Sequence, residues 1–210
     1  MSTQNYSDED KISLSNQKTE EANNFYASGD YNAAIKLCDE AIELNPDNYS
    51  AYFTRGMAYY NLRKYDSALQ DCDMTIKLNP NSFGAYNNRG ACYFELKQYD
   101  AAFKDFSRSI ELNPKSSFAY FNRGRIYLYK KNFKLALKDF CKAVEFKPDW
   151  EDAYFYRGNT YCELEQYNLG IADFDEAVRL EPNEYRGWKM RGECYKNIGD
   201  EKKLKPTSTE

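Results

Sequence analysis

The chain has 210 residues, a formal net charge of −4 and a sequence pI near 5.2, so charge gives no ground to expect a nucleic-acid partner. It contains no histidine, which excludes serine–histidine and cysteine–histidine nucleophiles and histidine-ligated metals. No run of about eighteen apolar residues occurs, so no membrane span is expected.

Residues 1–14 read as a disordered N-terminal tail. Met1 to Asp10 is polar and acidic, unlike the basic-then-apolar pattern of a secretory leader. Beyond it, Pro46, Pro80, Pro114, Pro148 and Pro182 recur every 34 residues. Proline cannot continue a helix from before it, so each one closes a repeated unit. The units are 15–48, 49–82, 83–116, 117–150 and 151–184, with a partial sixth over 185–198. Residues 199–210 form a C-terminal tail.

Within each unit the apolar and small residues fall at positions 4, 8 and 11, then 20, 24, 27 and 28. That is the spacing of two amphipathic helices. A polar break such as Leu62-Arg63-Lys64 separates them, and an aromatic opens the second: Tyr31, Tyr65, Tyr99, Phe133 or Tyr167. No stretch alternates with period two. The expected fold is all-α, antiparallel helix pairs stacked as an α-solenoid.

Position 8 reads Ala22, then Gly56, Gly90, Gly124, Gly158 and Gly192. Glycine inside a helix costs about 1 kcal/mol against alanine, so its recurrence needs a reason. Close approach supplies one: aromatics at positions 4, 11 and 24 seat where a facing helix carries almost no side chain. Position 7 holds Arg55, Arg89, Arg123, Arg157 and Arg191, and position 23 holds Asp71, Asp105, Asp139 and Asp173. Structural pairing is favoured over a ligand-reading arginine row, because an unpaired charge beside position 8 would be costly. Spacing does not decide which Asp each Arg meets.

Small and aromatic positions, turn and terminal proline together resemble the tetratricopeptide repeat, over about Ser15 to Gly199. The resemblance implies a right-handed superhelix whose first helices line a concave groove. The first unit departs from the family pattern at Lys18 and Glu21, which suits an end with nothing stacked before it. In the fifth unit Gly170 stands where alanine is usual and is expected to loosen its helix slightly.

Six cysteines occur without a CxxC, and buried free thiols in a reducing, cytoplasmic compartment are the expectation. Carboxylates such as Asp39-Glu40 lie scattered over solvated faces, and no glycine-rich phosphate loop is present. No enzyme, metal or cofactor is expected.

Carried onto this chain, the family's groove positions hold Phe53, Met57, Tyr60, Phe94, Phe118, Phe121, Tyr129, Phe155 and Tyr156. Asn87, Asn88, Asn122, Arg125 and Asn159 are interleaved with them. Rings offer pockets for side chains, and carboxamides both donate to and accept from a peptide backbone. Phe53 and Tyr60 fit packing between helices equally well, whereas Phe121 and Asn122, in the central unit, are the favoured pair. The family's carboxylate clamp for chaperone tails needs a cationic pair that no frame supplies; one frame reads Phe53, Met57, Asn88, Phe118 and Asn122. The expected role is a monomeric scaffold or adaptor gripping an extended peptide, the alternative a chaperone-like assembly factor shielding hydrophobic client surface.

Overall fold

The computed structural model describes residues 7–199, and their regular structure is entirely helical. The helices are α1 Asp8–Ala27, α2 Tyr31–Leu44, α3 Tyr49–Asn61, α4 Tyr65–Leu78, α5 Phe83–Glu95 and α6 Tyr99–Leu112. There follow α7 Ser117–Tyr129, α8 Phe133–Phe146, α9 Glu151–Glu163, α10 Tyr167–Leu180 and α11 Tyr185–Asn197. They belong to two compact units, one ending at Pro114 and one beginning at Lys115. In each unit the two helices of a repeat pack together, and each second helix also packs on the first helix of the following repeat. First helices touch the next first helix (α1 with α3, α3 with α5, α7 with α9, α9 with α11). Second helices of one unit do not touch each other among the described residues. The first helices therefore form the crowded inner side of each unit.

Helix boundaries follow from local chemistry. Every second helix ends two residues before its proline, at Leu44, Leu78, Leu112, Phe146 or Leu180. The turn between paired helices is a Schellman cap: in the second repeat Lys64 N–H donates to the Tyr59 carbonyl at 2.9 Å and Arg63 N–H to that of Tyr60 at 2.9 Å. The residue at the left-handed position is Gly29, with φ 86°, in the first repeat; Gly199, just after α11, is also left-handed, with φ 75°. In the other four it is Arg63, Lys97, Lys131 or Glu165, with φ between 57° and 60°. Each of those L-residues carries a steric cost of about 1–2 kcal/mol, which the helix packing on both sides offsets.

The N-terminus differs from expectation. Residues 8–14, assigned to a tail, are helical, because Ser7 and Asp10 form a capping box. The Asp10 N–H donates to Ser7 Oγ at 3.1 Å and the Ser7 N–H to the Asp10 carboxylate at 3.2 Å. Asp8, Glu9 and Asp10 also place negative charge on the positive end of the helix dipole. Residues 1–6 and 200–210, the rest of the two assigned tails, lie outside the described residues. The first repeat replaces an aromatic core with a buried polar one. Asn48 Nδ2 donates to Ser15 Oγ at 2.8 Å and to Thr19 Oγ1 at 3.0 Å, while Ser15 Oγ donates to the Ala41 carbonyl at 2.7 Å. All three side chains are buried and satisfied.

The glycines of position 8 do face a bulky partner, from the second helix of their own repeat. A Cβ on Gly90 would lie 2.8 Å from the Phe106 ring, one on Gly124 2.8 Å from Phe140, and one on Gly158 3.0 Å from Phe174. Those three phenylalanines are fully buried. Where the phenylalanine is Cys72, Gly56 instead faces the Asp71 Cβ at 3.2 Å. In the first repeat Ala22 occupies the glycine position and Cys38 the phenylalanine position, both buried.

Beside this contact the arginine of each of repeats two to five forks onto the aspartate of its own repeat. Arg55 Nε and Nη2 donate to Asp71 at 2.8 and 2.7 Å, and Arg89, Arg123 and Arg157 repeat the arrangement on Asp105, Asp139 and Asp173. Arg55, Arg89 and Arg191 also reach back one repeat, to Asp39 at 2.5 Å, Asp73 at 2.7 Å and Asp175 at 2.7 Å. The pairing is thus both within a repeat and between repeats. Burial raises the Asp71 and Asp173 carboxyls above their ordinary value, with the arginine hydrogen bonds acting in the opposite sense.

Two cysteines depart from the free-thiol expectation: Cys162 of α9 and Cys194 of α11 form a disulfide, with Cα atoms 7.0 Å apart. Sequence spacing concealed it, because neither residue belongs to a CxxC and only stacking brings them together. The expectation of a reducing compartment rested on all thiols being free and loses that support. Gly170 is explained by the same pair, since a Cβ there would lie 2.6 Å from Cys162 Sγ. Cys38, Cys72 and Cys92 are free and buried, and Cys141 is free and half-buried. Burial pushes the Cys38 thiol up to about 12, and a hydrogen bond with Cys92, with burial, raises Cys72.

Two outcomes are expected. Gly124→Leu, which drives a side chain into the Phe140 ring, should lower the urea-unfolding free energy by at least about 1–3 kcal/mol, and adding Phe140→Ala should recover part of it. Alkylation of the native oxidised chain, followed by mass spectrometry, should label Cys141 first and leave Cys38, Cys72 and Cys92 protected until unfolding. Cys162 and Cys194 should become available only after reduction.

Candidate functional site

The inner side of the second unit is built by α7, α9 and α11. Ser116 and Trp150, immediately before α7 and α9, start those helices in extended backbone. Phe118 sits in the first turn of α7 and is 49% exposed. One turn on, Phe121 is 6% exposed, so it is core rather than a surface for a partner. Its ring centroid lies 4.4 Å from Trp150, 5.2 Å from Tyr156 and 5.8 Å from Phe140. Phe121 therefore ties the glycine–phenylalanine contact of its repeat to the inner face. It supports the site from beneath.

Trp150 is the residue that sequence reasoning missed. Its ring also lies 4.8 Å from Phe118, so the pair forms an aromatic ledge open to solvent along Phe118. A signal was present: the last position of each unit reads Asn48, Ser82, Ser116, Trp150 and Glu184. Tryptophan alone in that column cannot cap the following helix through its side chain, and no side-chain cap is present at α9.

Cations cover these rings. Lys147 Nζ lies 4.9 Å from the Phe118 centroid and 5.0 Å from that of Trp150. The Arg125 guanidinium sits 5.9 Å from Phe121 and 6.0 Å from Tyr156, and its Nη1 donates weakly to Asn122 Oδ1 at 3.5 Å. At the far side Arg186 stacks 4.6 Å from the Phe155 centroid and donates to Glu151 and Asp152. Burial raises the Glu151 carboxyl above its ordinary value, while Arg186 acts to lower it. Asn159 is half-buried on the same helix as Phe155 and Tyr156. Each cation–ring contact of this kind contributes about 0.5–2 kcal/mol, most where water is excluded.

The remaining candidates belong to the first unit and are brought together there on α3 and α5, separately from those above. Phe53 is half-buried, with its ring against Gly84, where a Cβ would lie 3.1 Å away. One edge of the Phe53 ring therefore packs between α3 and α5 while the side chain as a whole is half-buried. Met57, Asn87 and Asn88 are half-buried. Asn88 Nδ2 is buried at the atom level and has no hydrogen-bond partner among the described residues. Polar links at equivalent places elsewhere are satisfied, as where Thr54 Oγ1 donates to Asn23 Oδ1 at 2.6 Å.

The arrangement brings together apolar ring edges, fixed cations and carboxamides. Among the described residues, no group of three or more histidine, cysteine or carboxylate side chains could hold a metal ion, and no helix is long and apolar enough to cross a membrane.

Comparison with known proteins places this architecture. Family models of the tetratricopeptide repeat match residues 19–83, 84–116, 106–138 and 151–184. The chain is a tetratricopeptide repeat protein, with five repeats and the first helix of a sixth. No curated protein matches it. Among solved structures it is similar to Pseudomonas aeruginosa pilF, with TM-score 0.83 and 15% identity over 92% of this chain and 88% of that one. PilW, a type IV pilus biogenesis factor, gives 0.80 and 19% over 91% and 89%. YrrB, a repeat protein with an unusual peptide-binding site, gives 0.61 and 22% over 82% and 89%. At these identities the likeness is one of fold.

Phe121→Ala should cost about 3–5 kcal/mol in chemical unfolding, as expected for a buried ring. Phe118→Ala, which removes an exposed ring, should change stability by less than about 1 kcal/mol.

Proposed function

We propose that this chain is a non-enzymatic adaptor that holds an extended peptide of a partner protein along the first-helix face. The tetratricopeptide repeat fold supports a protein–protein interaction scaffold. One observation carries the finer reading: Phe118 is exposed on that face beside Trp150, with Lys147 over both rings. An apolar ledge under a fixed cation suits a peptide offering an apolar side chain next to a carboxylate or carbonyl. The clamp for acidic chaperone tails is not part of this reading, because its cationic pair is missing. A scaffold of stacked helix pairs presents such a face without reorganising, which lowers the entropic cost of binding.

Panning a displayed random peptide library against the intact chain, and measuring the recovered peptides by fluorescence anisotropy, tests this. Phe118→Ala combined with Asn122→Ala should weaken them at least about tenfold while circular dichroism stays unchanged. Recovery of no peptide sensitive to that pair would sink the proposal. So would suppression of a denatured client's aggregation that survives the substitutions, the behaviour of a shielding factor.

A further inference from the structure

We infer that the outward side of α8 is a second binding surface, whose partner is an acidic polypeptide segment carrying a large apolar side chain. Charge is distributed very unevenly along the chain. The repeat 117–150 has eight Lys and Arg against three Asp and Glu, while 151–184 has two against nine. Much of that positive excess lies on one helix. Lys134, Lys138 and Lys142 fall at i, i+4 spacing along α8, and Lys131 stands in the turn just before it. Residues so spaced share one helix face, where like charges repel.

Lys131, Lys134 and Lys138 are exposed, and none has an ion-pair partner among the described residues. Lys142 alone is paired, with Glu145 at 2.7 Å. A second helix shaped only for solubility mixes its signs, as α6 does with Asp100, Lys104, Arg108 and Glu111. Leu135 lies within this row, four residues after Lys131 and three before Lys138, and is 38% exposed. A leucine ringed by uncompensated lysines is an apolar anchor within a cationic field. Its complement is a carboxylate-rich segment with one large apolar side chain.

The neighbourhood favours a short segment over an extended polyanion. From Lys134 to Lys142 the row spans about 12 Å at the helical rise. The acidic repeat packs on α8 through α9. With a screening length of about 8–10 Å, a nucleic acid or a planar anionic membrane would also meet its carboxylates. A short segment lying along α8 avoids them. Lysine ammonium groups on flexible stems also suit mobile carboxylates better than the fixed fork geometry of arginine-read phosphates.

The test uses the full chain and fluorescence anisotropy at low and at physiological salt. The probes are a short Glu-rich peptide with one central leucine, its leucine-to-alanine version, polyuridine RNA, and phosphatidylserine vesicles followed by co-sedimentation. The leucine peptide should bind, lose at least about tenfold on Lys134→Glu with Lys138→Glu, and weaken severalfold on Leu135→Ser. Lys134→Gln with Lys138→Gln should give an intermediate loss, and Phe118→Ala none, which separates this surface from the inner face. Circular dichroism confirms folding at these exposed positions. Any of these results would overturn it: no binding at low salt, equal binding of the alanine peptide, tighter binding of RNA or vesicles, or sensitivity to Phe118→Ala instead. Salt-sensitive self-association abolished by the lysine substitutions would assign the surface to a second copy and equally overturn the inference.

Discussion

A phenylalanine can stand at the centre of a helix pair only if the facing helix has no side chain opposite it. That contact, Phe106 on Gly90, Phe140 on Gly124 and Phe174 on Gly158, sets the distance between the two helices of its repeat. Everything on the inner face inherits that distance. Phe121 touches Phe140 from one side and Trp150 and Tyr156 from the other, so the ledge that includes Phe118 is seated on the closed pair. Glycine's conformational cost is offset by burying a whole ring, worth about 1.5–3 kcal/mol in transfer free energy.

The arginine rows act on the next scale up. An ion pair with one nearly buried member gains little net stability over an apolar pair of the same shape, because desolvation opposes the Coulombic term. What it adds is register. Arg55 satisfies Asp71 with two parallel bonds in its own repeat and spends its remaining nitrogen on Asp39 of the repeat before; Arg89 does the same with Asp105 and Asp73. A slip of one helical turn between repeats would break the links to Asp39 and Asp73, whose side chains are 48% and 58% exposed, and would leave the buried pairs within each repeat intact, so that penalty is modest. Apolar surfaces determine that repeats stack, the forks tie the two helices of one repeat, and the links to Asp39 and Asp73 add a small preference for register between repeats.

Much of this was legible in the sequence, for identifiable reasons. A proline every 34 residues marks helix ends because its ring physically prevents continuation, and all five second helices stop just before one. Glycine against aromatic was legible because so few residue types can occupy a close contact. Features without such exclusivity were hidden. Arg63, Lys97, Lys131 and Glu165 adopt left-handed backbone despite being poor choices for it, since tertiary packing overrides local preference. The first helix begins at Asp8 because of a reciprocal Ser7–Asp10 pair that a purely apolar pattern does not register. Trp150 stood out only as the odd residue in the last column of the units, and the Cys162–Cys194 pair emerges only when repeats are stacked. Phe121, favoured as a ligand contact from its position, is buried because Trp150 covers it.

Burial of Phe121 also narrows the chemistry that the inner face can perform. A ring enclosed by a cation and by other rings is closed to a partner, so affinity must come from Phe118, Trp150 and the groups above them. Lys147 already lies within 5.0 Å of both ring centroids. An incoming apolar side chain alone would have to displace that ammonium and lose its attraction to the rings. One accompanied by a carboxylate keeps the ammonium where it is and pairs with it, so that cation–π and ionic attraction reinforce each other in a partly dehydrated setting. On the proposed reading, the preference for an acidic residue beside the apolar one follows from the position of a single lysine.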